Sequence, residues 1–104
     1  MQKFILTIGL NDKDTKQQKY DIITCYKLVE NVLKEYTDGY TIYETKGGYK
    51  HDSGEFVQET SLRVELLFTT ELQVRLIANK IKAPECLNQE SIAFETITTN
   101  SVLL

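Results

Sequence analysis

The sequence has 104 residues, a net charge of −3, and 41% hydrophobic against 26% charged residues. This length predicts a single domain, residues 1–104, and the composition is typical of an ordinary soluble globular protein. The mild acidic balance, without a long run of like charges, disfavours direct binding to nucleic acid. Cys25 and Cys86 lie far apart and in no C-x-x-C spacing, so no metal or redox motif is indicated.

An alternating apolar run from Phe4 to Leu10 predicts the first strand. The run is too short for a membrane span and lacks the small-residue cleavage site of a secretory signal. Cys25 falls in an apolar helical pattern and is expected to be a buried thiol in a reducing compartment. These features predict a protein of the cytoplasm, or of the host cell's cytoplasm if a phage encodes it, without membrane contact.

A long amphipathic helix is predicted from Lys16 to Tyr36, with Asp14 or Thr15 as its N-cap. Gly39 is expected to end this helix in a left-handed conformation. The apolar stripe has spacings of three and four residues. It consists of Ile22, Tyr26, Val29, Leu33 and Tyr36, widened by Ile23, Cys25 and Val32.

Two strands follow, residues 40–46 and 56–68, and the glycine-rich stretch GGYKHDSGE, residues 47–55, is predicted to be the hairpin bend between them. Thr69 or Thr70 then caps a second helix that runs to about Lys82, where Pro84 stops it. Its apolar positions are Leu72, Val74, Leu76, Ile77 and Ile81.

The last predicted strand covers residues 90–97, with Ile92 and Phe94 pointing inward, and an apolar tail follows it. The element order is therefore β-α-β-β-α-β. Because two helices cover only one face of a four-stranded sheet, this order predicts an α+β ferredoxin-like fold with an antiparallel sheet.

The sheet face that the helices leave open is predicted to mix apolar, acidic and basic residues. Three interpretations stay open: a solvated face with cross-strand ion pairs, an oligomer interface, and a ligand site. An interface would require Arg63 to be paired with neighbouring acids, because an isolated buried charge is costly. The face consists of Ile5, Thr7, Thr41, Tyr43, Thr45, Val57, Glu59, Ser61, Arg63, Glu65, Leu67, Glu95 and Ile97.

No catalytic set, metal site or cofactor motif is indicated. His51 is the only histidine, and its neighbour Asp52 does not by itself complete a catalytic arrangement. The order G-G-Y-K is not a phosphate-binding Walker loop. The glycines nevertheless expose backbone N–H groups beside Lys50, where a small anion could bind. The glycines of this stretch are Gly47, Gly48 and Gly54.

The run from Asp38 to Ser61 resembles the centre of a small ferredoxin-like family of bacteria and phages that is classed as a domain of unknown function. The shared features are a Gly-x-Thr-aliphatic strand, a Gly-x-aromatic step, a glycine at the hairpin tip, and Glu-x-Ser on the returning strand. A later Gln-Glu-Ser-aliphatic entry to the last strand, residues 89–92, is similar to that family too. The matching residues are Gly39, Thr41, Ile42, Gly47 or Gly48, Tyr49, Gly54, Glu59 and Ser61.

The resemblance implies the ferredoxin-like fold and no known activity. In that family the aromatic is often tryptophan, where this chain has Tyr49. The short, acidic sequence, rich in Lys, Ile, Thr and Asn, also resembles small accessory proteins from phages of low-GC Gram-positive bacteria. Many such proteins act by binding, for example by blocking a host defence complex or by sequestering a signalling nucleotide.

The sequence therefore favours a non-enzymatic, homo-oligomeric binding protein, acting by protein contact or by sequestering a small anionic, nucleotide-like ligand. The alternative is a small enzyme with acid/base chemistry on the open sheet face, through Tyr43, His51, Glu59 and Arg63. An acidic mimic of nucleic acid is a third possibility, disfavoured because the acids are not clustered. The candidate binding residues are Tyr43, Gly47, Gly48, Tyr49, Lys50, His51, Glu59, Ser61 and Arg63.

Overall fold

The computed structural model describes all residues, 1–104. Its elements are β1 (Gln2–Gly9), α1 (Ile22–Tyr36), β2 (Thr41–Lys50), β3 (Phe56–Leu66), α2 (Glu71–Lys82) and β4 (Ala93–Thr98). The sheet order is β2-β3-β1-β4, and every neighbouring pair is antiparallel. The predicted ferredoxin-like fold is confirmed.

The core lies between the helices and one face of the sheet. Alternate residues of β1 and β3 point into it because side chains along a strand alternate between its two faces. Each helix contributes three fully buried residues, spaced four and four apart in α1 and three and four apart in α2. The buried core residues of these elements are Phe4, Leu6, Ile8, Cys25, Val29, Leu33, Leu62, Val64, Leu66, Val74, Ile77 and Ile81.

Helix α1 begins six residues later than predicted. Its N-cap is Asp21, whose carboxylate accepts a hydrogen bond of 2.7 Å from the Thr24 N–H. The predicted caps Asp14 and Thr15 were wrong because their N–H groups instead donate to the Asp12 carboxylate, at 2.8 and 3.1 Å. This local turn competes with a helix for the same donors.

The end of α1 also differs from the prediction. The C-cap is Thr37 in extended conformation, and its N–H donates to the Leu33 carbonyl. Gly54 is the only glycine with a positive φ, so Gly39 does not end the helix in a left-handed conformation. Ile23, expected to widen the apolar stripe, is 63% exposed instead.

Strand β2 is longer than predicted, and this changes the interpretation of the glycine-rich stretch. Gly47 and Gly48 pair in regular register with Glu59 and Gln58, so they form no bend or bulge. The turn is confined to residues 51–55, where Gly54 has a φ of 92°. The resulting hairpin continues beyond the end of β1, which stops at the Gly9–Ser61 pair.

Helix α2 matches its predicted bounds, with Thr70 as the N-cap. Leu72 and Leu76 were wrongly placed among its core residues, because both are exposed. Strand β4 begins at Ala93 rather than at residue 90. The preceding segment, residues 86–89, is a buried loop outside the sheet.

Candidate functional site

The structure forms a groove with a volume of about 590 Å³ at the end of the sheet where the hairpin projects. This volume is in the range of small-molecule sites. One wall comes from β2 and β3, the other from the loop after β1 and the loop before β4. The lining residues are Thr7, Gly9, Asn11, Asp12, Lys13, Lys16, Tyr49, His51, Val57, Glu59, Ser61, Gln89, Glu90 and Ser91.

Glu59 is fixed in this groove by the backbone of the opposite wall. The Asn11 N–H donates to its Oε2 atom at 3.0 Å. Gly9 makes room for the carboxylate, because a Cβ atom at Gly9 would stand 2.7 Å from the Glu59 carboxylate carbon and from both of its oxygens. None of the ion pairs of the chain includes Glu59, so its charge is balanced by no cationic side chain. A carboxylate with these surroundings is available to a cationic ligand.

The wall after β1 is stabilised by a polar network. Asp12, only 7% exposed, accepts the Asn88 amide N–H at 3.0 Å and the backbone N–H groups of Asp14 and Thr15. These hydrogen bonds, the Asn88 amide first, lower the pKa of Asp12 and so keep its carboxylate ionised. The network therefore holds two loops that are 76 residues apart in the sequence against each other.

Four of the predicted site residues line this groove together: Tyr49, His51, Glu59 and Ser61. Tyr49 is 52% exposed, and Ser61 is buried at the base of the hairpin. The His51 Nδ1 atom lies 3.2 Å from the Ser53 hydroxyl within the hairpin turn. The groove thus brings together a phenol ring, an imidazole ring, a carboxylate and a hydroxyl group.

The remaining predicted residues lie elsewhere. Gly47 and Gly48 line a second groove, of about 560 Å³, on the opposite face of the hairpin. Lys50, the last residue of β2, lines neither of the two grooves. No cluster of three or more His, Cys, Asp and Glu side chains is arranged to hold a metal ion.

Tyr43 and Arg63 also lie outside the groove, on the open face of the sheet. The Tyr43 hydroxyl donates to Glu65 at 2.7 Å, and Glu65 also pairs with Lys3 at 2.6 Å. Arg63 donates to the Thr7 hydroxyl at 3.0 Å and pairs with a carboxylate of β4 at 3.4 Å. These residues satisfy one another across the strands, as the interpretation of a solvated face with cross-strand ion pairs expects.

The loop half of the groove was missed from the sequence. Five residues of this half were not predicted as site residues. Gly9 was placed in the first strand and Lys16 at the start of the first helix. No binding role was predicted for Asn11, Lys13 or Gln89. The run NDKDT does carry a local signal for a turn. An Asp side chain can accept hydrogen bonds from the backbone N–H groups that follow it, which favours an Asx turn. Its proximity to residues 87–91 depends on tertiary packing and leaves no local signal.

No protein-family model matches this sequence, and no curated protein matches it. Among solved structures, the fold is similar to a phage SAM lyase in complex with S-methyl-5'-thioadenosine, with a TM-score of 0.65 and 21% identity over 92% of this chain and 79% of that one. It is also similar to CutA1 from Pyrococcus horikoshii, with a TM-score of 0.60 and 19% identity over 99% and 87% of the two chains.

A DUF3240 family protein from Shewanella baltica OS155 has a TM-score of 0.54 and 9% identity, over 99% of this chain and 97% of that one. A family of unknown function therefore shares the fold, as the resemblance in the sequence implied, while the motif pattern itself stays a prediction. All three identities are low, so these similarities show the fold alone. No helix is long and apolar enough to cross a membrane.

Proposed function

We propose that this protein binds S-adenosylmethionine in the groove and cleaves it to S-methyl-5'-thioadenosine. The observation that carries the proposal is the Glu59 carboxylate, held by the Asn11 N–H at 3.0 Å and paired with no cation. S-adenosylmethionine carries a sulfonium and an ammonium group, and a fixed carboxylate in a partly enclosed groove attracts such charges more strongly than one in bulk water. The fold it shares with a phage SAM lyase supports this choice of ligand.

The groove also suits the nucleoside part of that ligand. Tyr49 and His51 contribute rings at its hairpin side, and base–aromatic stacking contributes roughly 1–3 kcal/mol per base. Ser61 and Gln89 add polar groups that can orient a purine edge. A predominantly polar groove with a few aromatic groups favours a nucleoside over a purely apolar molecule.

The product defines the bond that breaks. S-Methyl-5'-thioadenosine keeps the methyl and adenosyl groups on sulfur, so the broken bond joins sulfur to the terminal carbon of the amino-acid chain. The electron pair of this bond moves to the sulfur, which becomes a neutral thioether. The carbon that loses the sulfur forms a new bond in one of two ways. The substrate's own carboxylate attacks it, giving a lactone, or a base removes a proton from the neighbouring carbon, giving an alkene.

Glu59 is the residue that we assign to either route, with a different role in each. In the alkene route its carboxylate accepts the proton, and in the lactone route it orients the substrate through the ammonium group. Of the acid/base group expected from the sequence, Tyr43 and Arg63 are engaged with other side chains of the sheet, which leaves His51 and Glu59 in the groove. The enzyme alternative thus rests on fewer residues than the sequence suggested.

The direct test is incubation of the purified protein with S-adenosylmethionine, followed by chromatography and mass spectrometry of the products. We expect S-methyl-5'-thioadenosine, and the partner product identifies the lactone or alkene route. Glu59→Gln should remove product formation in the alkene route and lower it in the lactone route, whereas Glu44→Gln, at an exposed carboxylate on the same hairpin but outside the groove, should do neither. Binding without product would leave a sequestering protein, and absence of both would overturn the proposal.

We further propose a homo-oligomer. The outer part of the β2–β3 hairpin is a two-stranded ribbon, which is marginally stable alone, and its Phe56 is 76% exposed. The apolar tail residues 102–104 are exposed as well. A second copy that covers the ribbon would bury Phe56, whereas the tail starts at the opposite end of the sheet, next to Met1, and would need a separate contact. Size-exclusion chromatography with light scattering tests this, and a strict monomer at high concentration would contradict it.

Consumption or sequestration of S-adenosylmethionine fits the accessory, anti-defence role in a phage-infected cell that the sequence suggested. Removing a methyl donor disables every enzyme that depends on it, without contact between proteins. The ligand occurs in the cytoplasm, and the two buried free cysteines are compatible with a reducing compartment. Phage growth on a host that expresses the Glu59→Gln variant, compared with the wild-type protein, tests the role.

A further inference from the structure

On the basis of the proposed function, we infer that Lys13 and Lys16 form an anion subsite that binds the carboxylate at the amino-acid end of the ligand. The groove then recognises a zwitterion: Glu59 takes the cationic part, and the two lysines take the anionic part. This makes the site selective for the intact substrate over its nucleoside product, which lacks the amino-acid end.

The lysines come from a loop that is anchored rather than free. Asn88 donates to the Asp12 carboxylate at 3.0 Å and to the Asp14 carboxylate at 2.9 Å. Gln89 donates to the Asn11 carbonyl at 2.7 Å. An anchored backbone reduces the conformational entropy that a ligand must remove, so charges presented from it bind more tightly.

Both lysines take part in this anchoring through their backbones. The Lys13 N–H donates to the Asn88 carbonyl at 3.0 Å, and the Lys16 N–H donates to the Asp12 carbonyl at 2.8 Å. Lys16 has a φ of 61°, a left-handed conformation that is unfavourable for a residue with a side chain. Such strain persists only where the surroundings determine it, and it is concentrated at ligand sites.

The charged side chains that line the groove form no ion pairs within the protein. Lys13, Lys16, Glu59 and Glu90 all line it, yet none of them belongs to an ion pair. Lys13, Lys16 and Glu90 have exposed side chains, which are free to turn toward a ligand in the groove. Unpaired charges of both signs are complementary to a ligand that carries both signs.

The experiment compares two stable probes by isothermal titration calorimetry. Sinefungin keeps the amino-acid end and has no sulfonium bond to cleave, and S-methyl-5'-thioadenosine lacks that end. The variants are Lys13→Gln, Lys16→Gln and the double variant. Lys80→Gln on α2 is the matched control, because it removes the same charge from an exposed position outside the groove.

We expect each single groove variant to bind sinefungin about 3- to 10-fold more weakly, the range for partly exposed charge-assisted contacts. Affinity for S-methyl-5'-thioadenosine should stay within about twofold, and Lys80→Gln should change neither affinity. Unchanged sinefungin affinity in the double variant, or an equal loss for both probes, would overturn the subsite while leaving the proposed function intact. If the wild-type protein binds neither probe, the proposed function fails and the subsite fails with it.

Discussion

The substitution Gly9→Ala perturbs the candidate site without touching the core. The added Cβ atom would stand 2.7 Å from the carboxylate carbon and both oxygens of Glu59, which is closer than non-bonded atoms approach, so the carboxylate must move. The backbone does not oppose the alanine, since Gly9 does not have a positive φ. The displaced group is the far end of a flexible side chain. The structure therefore predicts a local change at Glu59 and at its hydrogen bond to Asn11.

The two consequences differ in size. The hydrogen bond from the Asn11 N–H to Glu59 involves a charged acceptor and is in the class that contributes about 1.5–3 kcal/mol. In the free protein, water replaces much of this contact, and alanine gains about 0.4–1 kcal/mol by restricting the unfolded chain. We expect the free energy of unfolding to change by less than about 1 kcal/mol. A ligand that requires Glu59 in place should lose about 1.4 kcal/mol or more, at least roughly tenfold in affinity.

Urea denaturation measures the first quantity, and calorimetry with sinefungin measures the second. Gly39→Ala is the control, because nothing lies within 4 Å of the added Cβ at that position. In nuclear magnetic resonance spectra, the Asn11 amide should shift in Gly9→Ala and not in Gly39→Ala. Wild-type affinity in Gly9→Ala would refute the role of Glu59 in binding. A loss of stability above about 2 kcal/mol would refute the reasoning that the side chain moves freely.

Three further predictions concern the fold. Ile77→Ala should lower the free energy of unfolding by about 2–5 kcal/mol, whereas Leu72→Ala, 67% exposed on the same helix, should change it by less than about 0.5 kcal/mol; equal losses in urea denaturation would contradict the assigned core face. Asp21→Ala should cost about 0.5–2 kcal/mol and Thr15→Ala much less, as thermal unfolding can check, because only Asp21 caps α1. The Thr24 hydrogen bonds lower the pKa of Asp21, so its capping contribution should fade as the pH drops through the acid range. Burial raises the pKa of Cys25 to about 11 from its ordinary value of 9.0. The unfolded chain therefore loses this proton at lower pH than the folded protein, and the free energy of unfolding should fall between about pH 9 and 11. A thiol reagent that labels native Cys25 rapidly at pH 8 would contradict its burial.

The candidate site divides into a part that the sequence predicts and a part that it does not. Tyr49, His51, Glu59 and Ser61 lie on one hairpin, where residues close in sequence are also close in space. The alternation along β3 is enough to place Glu59 and Ser61 on the open face. The prediction failed for Gly47 and Gly48, because two glycines suggested a bend and the paired strand β3 keeps them in regular register.

The other wall depends on contacts across most of the chain. Asn88 reaches Asp12 over 76 residues, and the Asn11 N–H reaches Glu59 over 48 residues. Such contacts follow from how the loops are brought together once the sheet and helices have packed. The residues involved are small and polar, and in isolation they read as turn and cap residues.

The sequence by itself determined the element order and most of the core faces, because hydrophobic periodicity is a local property of helices and strands. It did not determine where α1 begins. The N–H groups of Asp14 and Thr15 donate to the Asp12 carboxylate in a local turn, and the helix starts only after Asp21. The tertiary structure alone decided that Gly9 leaves space for the Glu59 carboxylate. It also decided that two loops close a groove around that charge, because a site of this kind is made by distant backbone groups, and local patterns do not specify their distances.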